Sequence, residues 1–138
     1  MNNVGTVLRR IDMHAIGTFA KRCVHHPNNR LRNGRGVGIR LQWRFDSPQH
    51  IVQITVRNGW VHSRKFPTIY ADNGRIKRVR VTTDGGSTDW ALTDSPQPQT
   101  LRKDLGTTGT VRFEVLDVYP GVKYPDLALT GISFGATS

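Results

Sequence analysis

Cys23, His25, His26 and His62 of this 138-residue chain have side chains able to hold a zinc ion, since thiolate and imidazole are its preferred ligands. Cys-x-His-His matches no compact finger and no second cysteine exists to complete one. No metal site is therefore expected, and with one cysteine no intramolecular disulfide can form. Nucleophilic catalysis through Cys23 would need a base oriented by a third group, and nothing in the chain marks one. Asp84, Asp89, Asp94, Asp117 and Asp126 show no spacing that pairs two carboxylates for acid and base work. Each lies beside a turn residue, where an Asp side chain commonly bonds backbone. Gly34-x-Gly36-x-Gly38 precedes a strand instead of joining a strand to a helix, so it is a flexible connection and no phosphate loop. No serine elbow, zincin helix or kinase signature is present. The chain reads as a protein without catalytic residues and without a cofactor.

Binding chemistry is better represented. Arg40, Arg44, Arg57, Arg75, Lys77, Arg78 and Arg80 fall in or beside strand-like runs and could neutralise phosphates, although solvated outer strand faces carry the same residues. Trp60, Tyr70, Tyr119 and Tyr124 fall in loops, where aromatic planes suit stacking on sugar rings or bases. The net charge of +10 is unevenly placed. Met1 to Arg44 holds nine of the 20 Lys and Arg against one acid, Asp12. The other eleven bases face nine acids. The charge thus describes a basic arm on a nearly neutral domain.

The elements that must position these residues are strands. Ile39, Leu41, Trp43 and Phe45 alternate with Arg40, Gln42 and Arg44, and Val52, Ile54 and Val56 alternate with Gln53, Thr55 and Arg57. Asp46-Ser47-Pro48-Gln49 has turn chemistry, so these two strands are expected to pair as neighbours. Trp60 to Asp72 has aromatics without period and is expected to be a structured loop. Ile76 is out of phase with Val79 and Val81, which requires a β-bulge near Lys77-Arg78. Asp84-Gly85-Gly86-Ser87 signals a hairpin leading to Trp90 and Leu92, and a brief strand follows from Thr100 to Leu105. Val111, Phe113 and Val115 oppose Arg112, Glu114 and Leu116. Turns at Tyr119-Pro120-Gly121 and Tyr124-Pro125-Asp126 lead to Leu127, Leu129, Ile132 and Phe134. About seven strands at turn-punctuated spacing indicate an all-β sandwich or barrel.

The first 35 residues differ. Ile11, Met13, Ile16 and Phe19 suggest a turn or two of amphipathic helix, interrupted by Gly17 and without a cap. His25 to Gly36 has loop composition throughout. A boundary is expected near Gly36, with 1–35 an irregular basic segment, a replaced or incomplete first part of the domain, and 36–138 the sandwich. No charged n-region with an apolar stretch opens the chain, so no secretory signal is expected, and no window is apolar enough to span a membrane.

Several motifs in one order carry a resemblance. Asn58-Gly59-Trp60, Asn73-x-Arg75-Ile76-Lys77, Leu92-x-Asp94 with Gln99-Thr100-Leu101, Asp117 to Asp126, and Ile132-x-Phe134 together resemble the discoidin-like (factor V/VIII type C-like) domain first named for the translocation domain of a streptococcal NAD glycohydrolase. The resemblance runs from Phe45 to Phe134. It implies a jelly-roll sandwich like the galactose-binding domains, and a non-catalytic role in attaching to carbohydrate or another cell-surface ligand. It also implies a place in the cell envelope or outside the cell, beside another module. Glycohydrolase activity belongs to a different domain of such proteins. Loops at one end of these sandwiches bind the ligand or a calcium ion, but the family's acidic Asp-Gly-Asp segment is missing here and only the glycines Gly34, Gly36 and Gly38 remain. The expected ligand contacts are Trp60, Tyr70, Tyr119, Lys123 and Tyr124, with Asn58, Gly59, Asn73, Asp94, Pro120, Gly121 and Asp126 holding turns. The other reading is a nucleic-acid or anionic-surface binder using Arg30 to Arg44.

Overall fold

A computed structural model of the chain describes residues 8–13, 37–60, 69–123 and 127–137. Strands make up most of it: β1 (Leu8–Met13), β2 (Arg40–Asn58), β3 (Arg75–Thr83), β4 (Gly86–Ala91), β5 (Gln99–Arg102), β6 (Thr107–Tyr119) and β7 (Leu129–Thr137). A single helical turn, α1 (Ile69–Asp72), lies between β2 and β3. All strand pairing is antiparallel. The hydrogen-bonded path runs β1-β7-β2-β6-β3-β4, with β5 on β2.

β2 explains how one path makes two layers. Its first part, Arg40 to Arg44, pairs with β6, whereas Ile51 to Asn58 pairs with β7 on one side and β5 on the other. One layer is therefore β5, the end of β2, β7 and β1; the other is the start of β2, β6, β3 and β4. The two halves do not pair with each other, contrary to the expectation of a turn at Asp46 to Gln49. That stretch is a wide irregularity instead, with the register against β6 shifting between Arg44 and Gln49. Pro48 lacks an N–H and so fits an unpaired bulge as well as it fits a turn. The bend carries the strand from one layer to the other, the corner of a jelly-roll sandwich.

Alternation fills the space between the layers. Phe113, Phe134, Ile51, Ile54, Ile76, Leu127 and Leu129 are fully buried, and each contributes roughly 1.5–3 kcal/mol of hydrophobic burial. Trp43 meets Phe113 edge-on at 4.9 Å and Phe45 meets Phe134 at 5.2 Å, the geometry the ring quadrupole favours. The bulge required near Lys77-Arg78 is present, since the β3 register against β6 shifts on both sides of Arg78. Ile76, Val79 and Val81 consequently all face the core. The Asp84-Gly85 hairpin closes with Thr83 opposite Gly86.

Two expectations for the start of the chain meet different outcomes. Residues 8–13 form a strand and no helical turn, with Ile11 opposite Phe134 and Met13 opposite Ile132. Ile11 packs on the core from this position, and β1 covers the N–H and C=O groups that β7 would otherwise leave open. The sheet thus draws on residues before the boundary expected near Gly36. Ile16, Phe19, Cys23, His25, His26, His62 and the basic run Arg30 to Arg35 lie outside the described residues.

Phe113 makes a stringent test of this packing. Phe113→Ala should lower stability by about 3–5 kcal/mol, as cavity-forming Phe substitutions do. Guanidinium unfolding followed by Trp fluorescence should show a lower midpoint at unchanged slope; a near-wild-type midpoint would contradict the two-layer core.

Candidate ligand-binding site

The motif residues gather at one end of the sandwich, around a buried guanidinium. Arg75 opens β3 with a side chain only 9% exposed. Its Nε donates to Oδ1 of Asp94 at 3.1 Å and its Nη2 to Oδ2 at 2.9 Å, the two-pronged match of a planar guanidinium to a carboxylate. Nη1 turns the other way and donates to the carbonyls of Asn73 at 3.0 Å and Ala71 at 3.2 Å. The rings of Tyr70 and Tyr119 lie 5.0 and 5.9 Å from the guanidinium carbon, within cation–π range. One side chain thus fastens α1, the start of β3, the loop after β4 and the end of β6.

Asp94 also accepts a hydrogen bond from the Tyr70 hydroxyl at 2.7 Å. The bond from Arg75 holds this carboxyl below the usual Asp range; partial burial opposes the effect and Tyr70 reinforces it. Burial pushes the Tyr70 hydroxyl well above its ordinary value, and the neighbouring Asp94 carboxylate adds to the rise. Tyr119 donates its hydroxyl to the Leu92 carbonyl at 2.9 Å. Both tyrosines, expected as ligand contacts, therefore have their hydroxyls engaged inside the protein.

The remaining motif residues act in the same way. Asn58, fully buried, accepts from the Ile76 N–H at 3.0 Å and donates to the Ile76 carbonyl at 2.7 Å, joining β2 to β3 across the layers. Gly59 adopts a φ of +76°, and a Cβ there would lie 2.6 Å from the Tyr70 ring, so only glycine fits. Gln99 bonds both the N–H and the carbonyl of Thr93, at 2.8 and 2.7 Å, and Thr100 bonds Thr55 across the strands at 2.9 Å. Asn73 and Gly121 are buried, while Pro120 is exposed on the turn that leaves β6. Val122 and Lys123 then donate backbone N–H groups to the Ala71 and Asp72 carbonyls at 2.9 and 3.2 Å, which docks this turn on α1. Tyr124 and Asp126 lie outside the described residues.

What faces outward at this end is a short set. Trp60 is 38% exposed immediately after Gly59, Val122 is 82% exposed, and Lys123 is exposed beside it. Among the described residues no three His, Cys, Asp or Glu side chains lie close enough to hold a metal ion. Asp94, the carboxylate at the centre of this end, is taken by Arg75 and Tyr70.

Two side chains have roles that the alternation pattern alone misplaced. Arg75, expected among the outer-face cations, is instead the buried centre of the clamp; its signal is the aromatic and acidic residues shared by the same motifs. Arg112 was absent from the basic face although its phase opposite Val111 and Phe113 already put it there. That outer face, on β2, β6, β3 and β4, carries Arg40, Arg44, Arg78, Arg80 and Arg112, exposed.

An all-β sandwich of two antiparallel layers, clamped at one end by motif residues from four segments, defines a discoidin-like F5/8 type C domain. Residues 30–135 match the family described as the NAD glycohydrolase translocation F5/8 type C domain, and the chain belongs to that family. It is also similar to the NMR structure of the Streptococcus pyogenes NAD+-glycohydrolase translocation domain. That likeness has 28% identity and a TM-score of 0.54, and covers 73% of this chain and 89% of that one. No curated protein matches the chain. The family is described by a translocation domain and not by a catalytic one, and among the described residues no helix is long and apolar enough to cross a membrane.

The clamp predicts a pH signature. A depressed Asp pKa means stability that is present above the unfolded value, near 3.9, and lost as the pH falls through the folded one. Asp94 is 40% exposed, so solvent screening reduces the effect, and Asp94→Asn should cost about 1–3 kcal/mol at pH 7. Urea unfolding of both proteins from pH 7 to pH 2 should show the gap closing below about pH 4; a constant gap would mean that the charge is not its source.

Proposed function

We propose that this chain is a non-catalytic attachment module whose clamped end docks on carbohydrate or another cell-surface ligand. The observation that carries this reading is a division of labour at that end. Asn58, Gly59, Tyr70, Arg75 and Asp94 are turned toward one another, whereas Trp60, Val122 and Lys123, from the same motifs, face solvent. A ligand-binding surface needs positioned groups whose ordering has already been met by the fold, and an exposed tryptophan supplies an apolar plane on which a sugar ring can stack. Lys123 adds a cation at the same end, and Tyr119, with its hydroxyl already bonded to Leu92, can offer only its ring. Tyr70 contributes by holding Arg75, and Tyr124 belongs to the same turn by sequence.

The family's description as a translocation domain fits attachment. On this reading the module holds a linked or associated protein at a surface, and any catalytic step belongs to another module. The competing reading, a nucleic-acid binder using Arg30 to Arg44, predicts a binding constant that falls steeply with salt as phosphate counterions are released.

Glycan-array binding of the full chain at 50 and 300 mM salt separates the two. Attachment through the clamped end predicts saturable glycan binding that changes little with salt. It should be reduced about tenfold or more by Trp60→Ala, the loss of one stacked contact, and less by Lys123→Ala, both at wild-type melting temperature. Binding to oligonucleotides alone, with a steep salt slope, would favour the competing reading.

A further inference from the structure

The register of the outer layer sorts its charges into rows. Arg40 of β2, Glu114 of β6, Arg80 of β3 and Asp89 of β4 stand opposite one another on the solvent face. Their charges cancel: Arg40 is 4.0 Å from Glu114 and Arg80 is 3.0 Å from Asp89. The next row, two residues along each strand, is Gln42, Arg112, Thr82 and Ser87. Here a lone guanidinium sits among an amide and two hydroxyls. Its Nε donates to Gln42 Oε1 over a long 3.4 Å, while Thr82 and Ser87 bond each other at 2.9 Å. Beyond it Arg44, opposite Thr110, has no ion-pair partner among the described residues.

Arg40, Leu41, Gln42, Thr82, Arg112 and Glu114 line a shallow hollow of ≈ 460 Å³ open to solvent. We infer that this hollow is an anion-selective subsite for one acidic sugar residue, carboxylated or sulfated, with Arg112 as its fork. The guanidinium offers two parallel N–H groups to a carboxylate or sulfate, Gln42 and Thr82 meet ring hydroxyls, and Arg44 adds long-range attraction. The neighbouring Arg40–Glu114 pair supplies selectivity: Glu114 repels a second acid group and keeps Arg40 from acting as another fork. The strand aromatics Trp43, Phe45, Trp90 and Phe113 all pack into or against the core, so among the described residues this face offers no base-stacking platform for single-stranded nucleic acid. The inference shares the saccharide class with the proposed function but uses a different surface.

NMR titration of the full chain with glucuronate, N-acetylglucosamine 6-sulfate, methyl galactoside and a thymidine oligonucleotide tests it. Acidic sugars should shift amides of residues 40–44, 80–82 and 110–114, and galactoside should not. The two acid sugars also identify the group preferred. Arg112→Gln should weaken acidic-sugar binding about tenfold, the loss of one charge-assisted pair. Glu114→Gln should strengthen it several-fold by releasing Arg40, an outcome that damage to the strand cannot mimic. Trp60→Ala should leave these shifts unchanged. The inference is overturned if galactoside shifts the same amides equally, if Arg112→Gln has no effect, if Glu114→Gln weakens binding, or if only the oligonucleotide binds this face. Loss of array binding in Trp60→Ala with an unresponsive sheet face would leave the docking end standing and remove the subsite; the reverse pattern would do the opposite.

Discussion

The burial of one guanidinium constrains this fold more than any single hydrophobic contact. Arg75 cannot be neutralised at ordinary pH, and an uncompensated charge in the interior would cost several kcal/mol. Its donors must therefore find acceptors, and they come from Asp94, Asn73 and Ala71. These acceptors lie on the short helical turn α1 and on loops. Hydrophobic burial brings the two layers together but does not specify how loops at their ends are arranged. Satisfying Arg75 does, because acceptors displaced by an ångström or two would leave its N–H groups unpaired. Tyr70 and Tyr119, on either side of the guanidinium, extend the same constraint to α1 and the end of β6.

The second constraint is geometric. β2 serves both layers, so the bend between Arg44 and Gln49 sets the offset of one layer against the other. The core aromatics sit near that corner. Trp43 and Phe45 precede the bend and reach Phe113 and Phe134, which belong to different layers. The ring contacts therefore fix the bend, and the Arg75 clamp fixes the opposite end. Thr83 and Thr108 close the loops near the bend with hydrogen bonds to Leu105 and Thr110 carbonyls, at 2.8 and 2.6 Å.

How much of this was legible in the chain depends on whether a residue's role follows from its neighbours in sequence or in space. Strand existence followed from alternation, and the bulge at Lys77-Arg78 followed from a phase error that only an extra residue can repair. The bend in β2 did not, because Asp46-Ser47-Pro48-Gln49 has a composition equally suited to a tight turn and to an unpaired stretch inside one strand. β1 did not either: six residues with three apolar positions, Leu8, Ile11 and Met13, are too short to distinguish a strand from a helical turn, and the open edge of β7 decides between them. Ordered motifs identified the family. They did not reveal that Asn58 bonds Ile76 and that Arg75 bonds Asp94, since partners 18 and 19 residues apart leave no mark on local pattern. Trp60 and Lys123 were legible as loop residues, and their exposure followed only from the frame that holds them.

A fingerprint made of such residues carries the fold and leaves the ligand open. Asn58, Gly59, Arg75 and Asp94 are needed by any chain that closes this end of the sandwich in this way, whatever it binds. Ligand preference then resides in side chains that the clamp and the registers merely position. On the outer layer the point is sharp: Arg112 faces solvent between Gln42 and Thr82 because β2, β6 and β3 are in one particular register. A slip by one residue would turn it into the core and bring Val111 or Phe113 outward. The apolar faces of those strands forbid that slip, so the arrangement of charge on the surface is fixed by the packing beneath it.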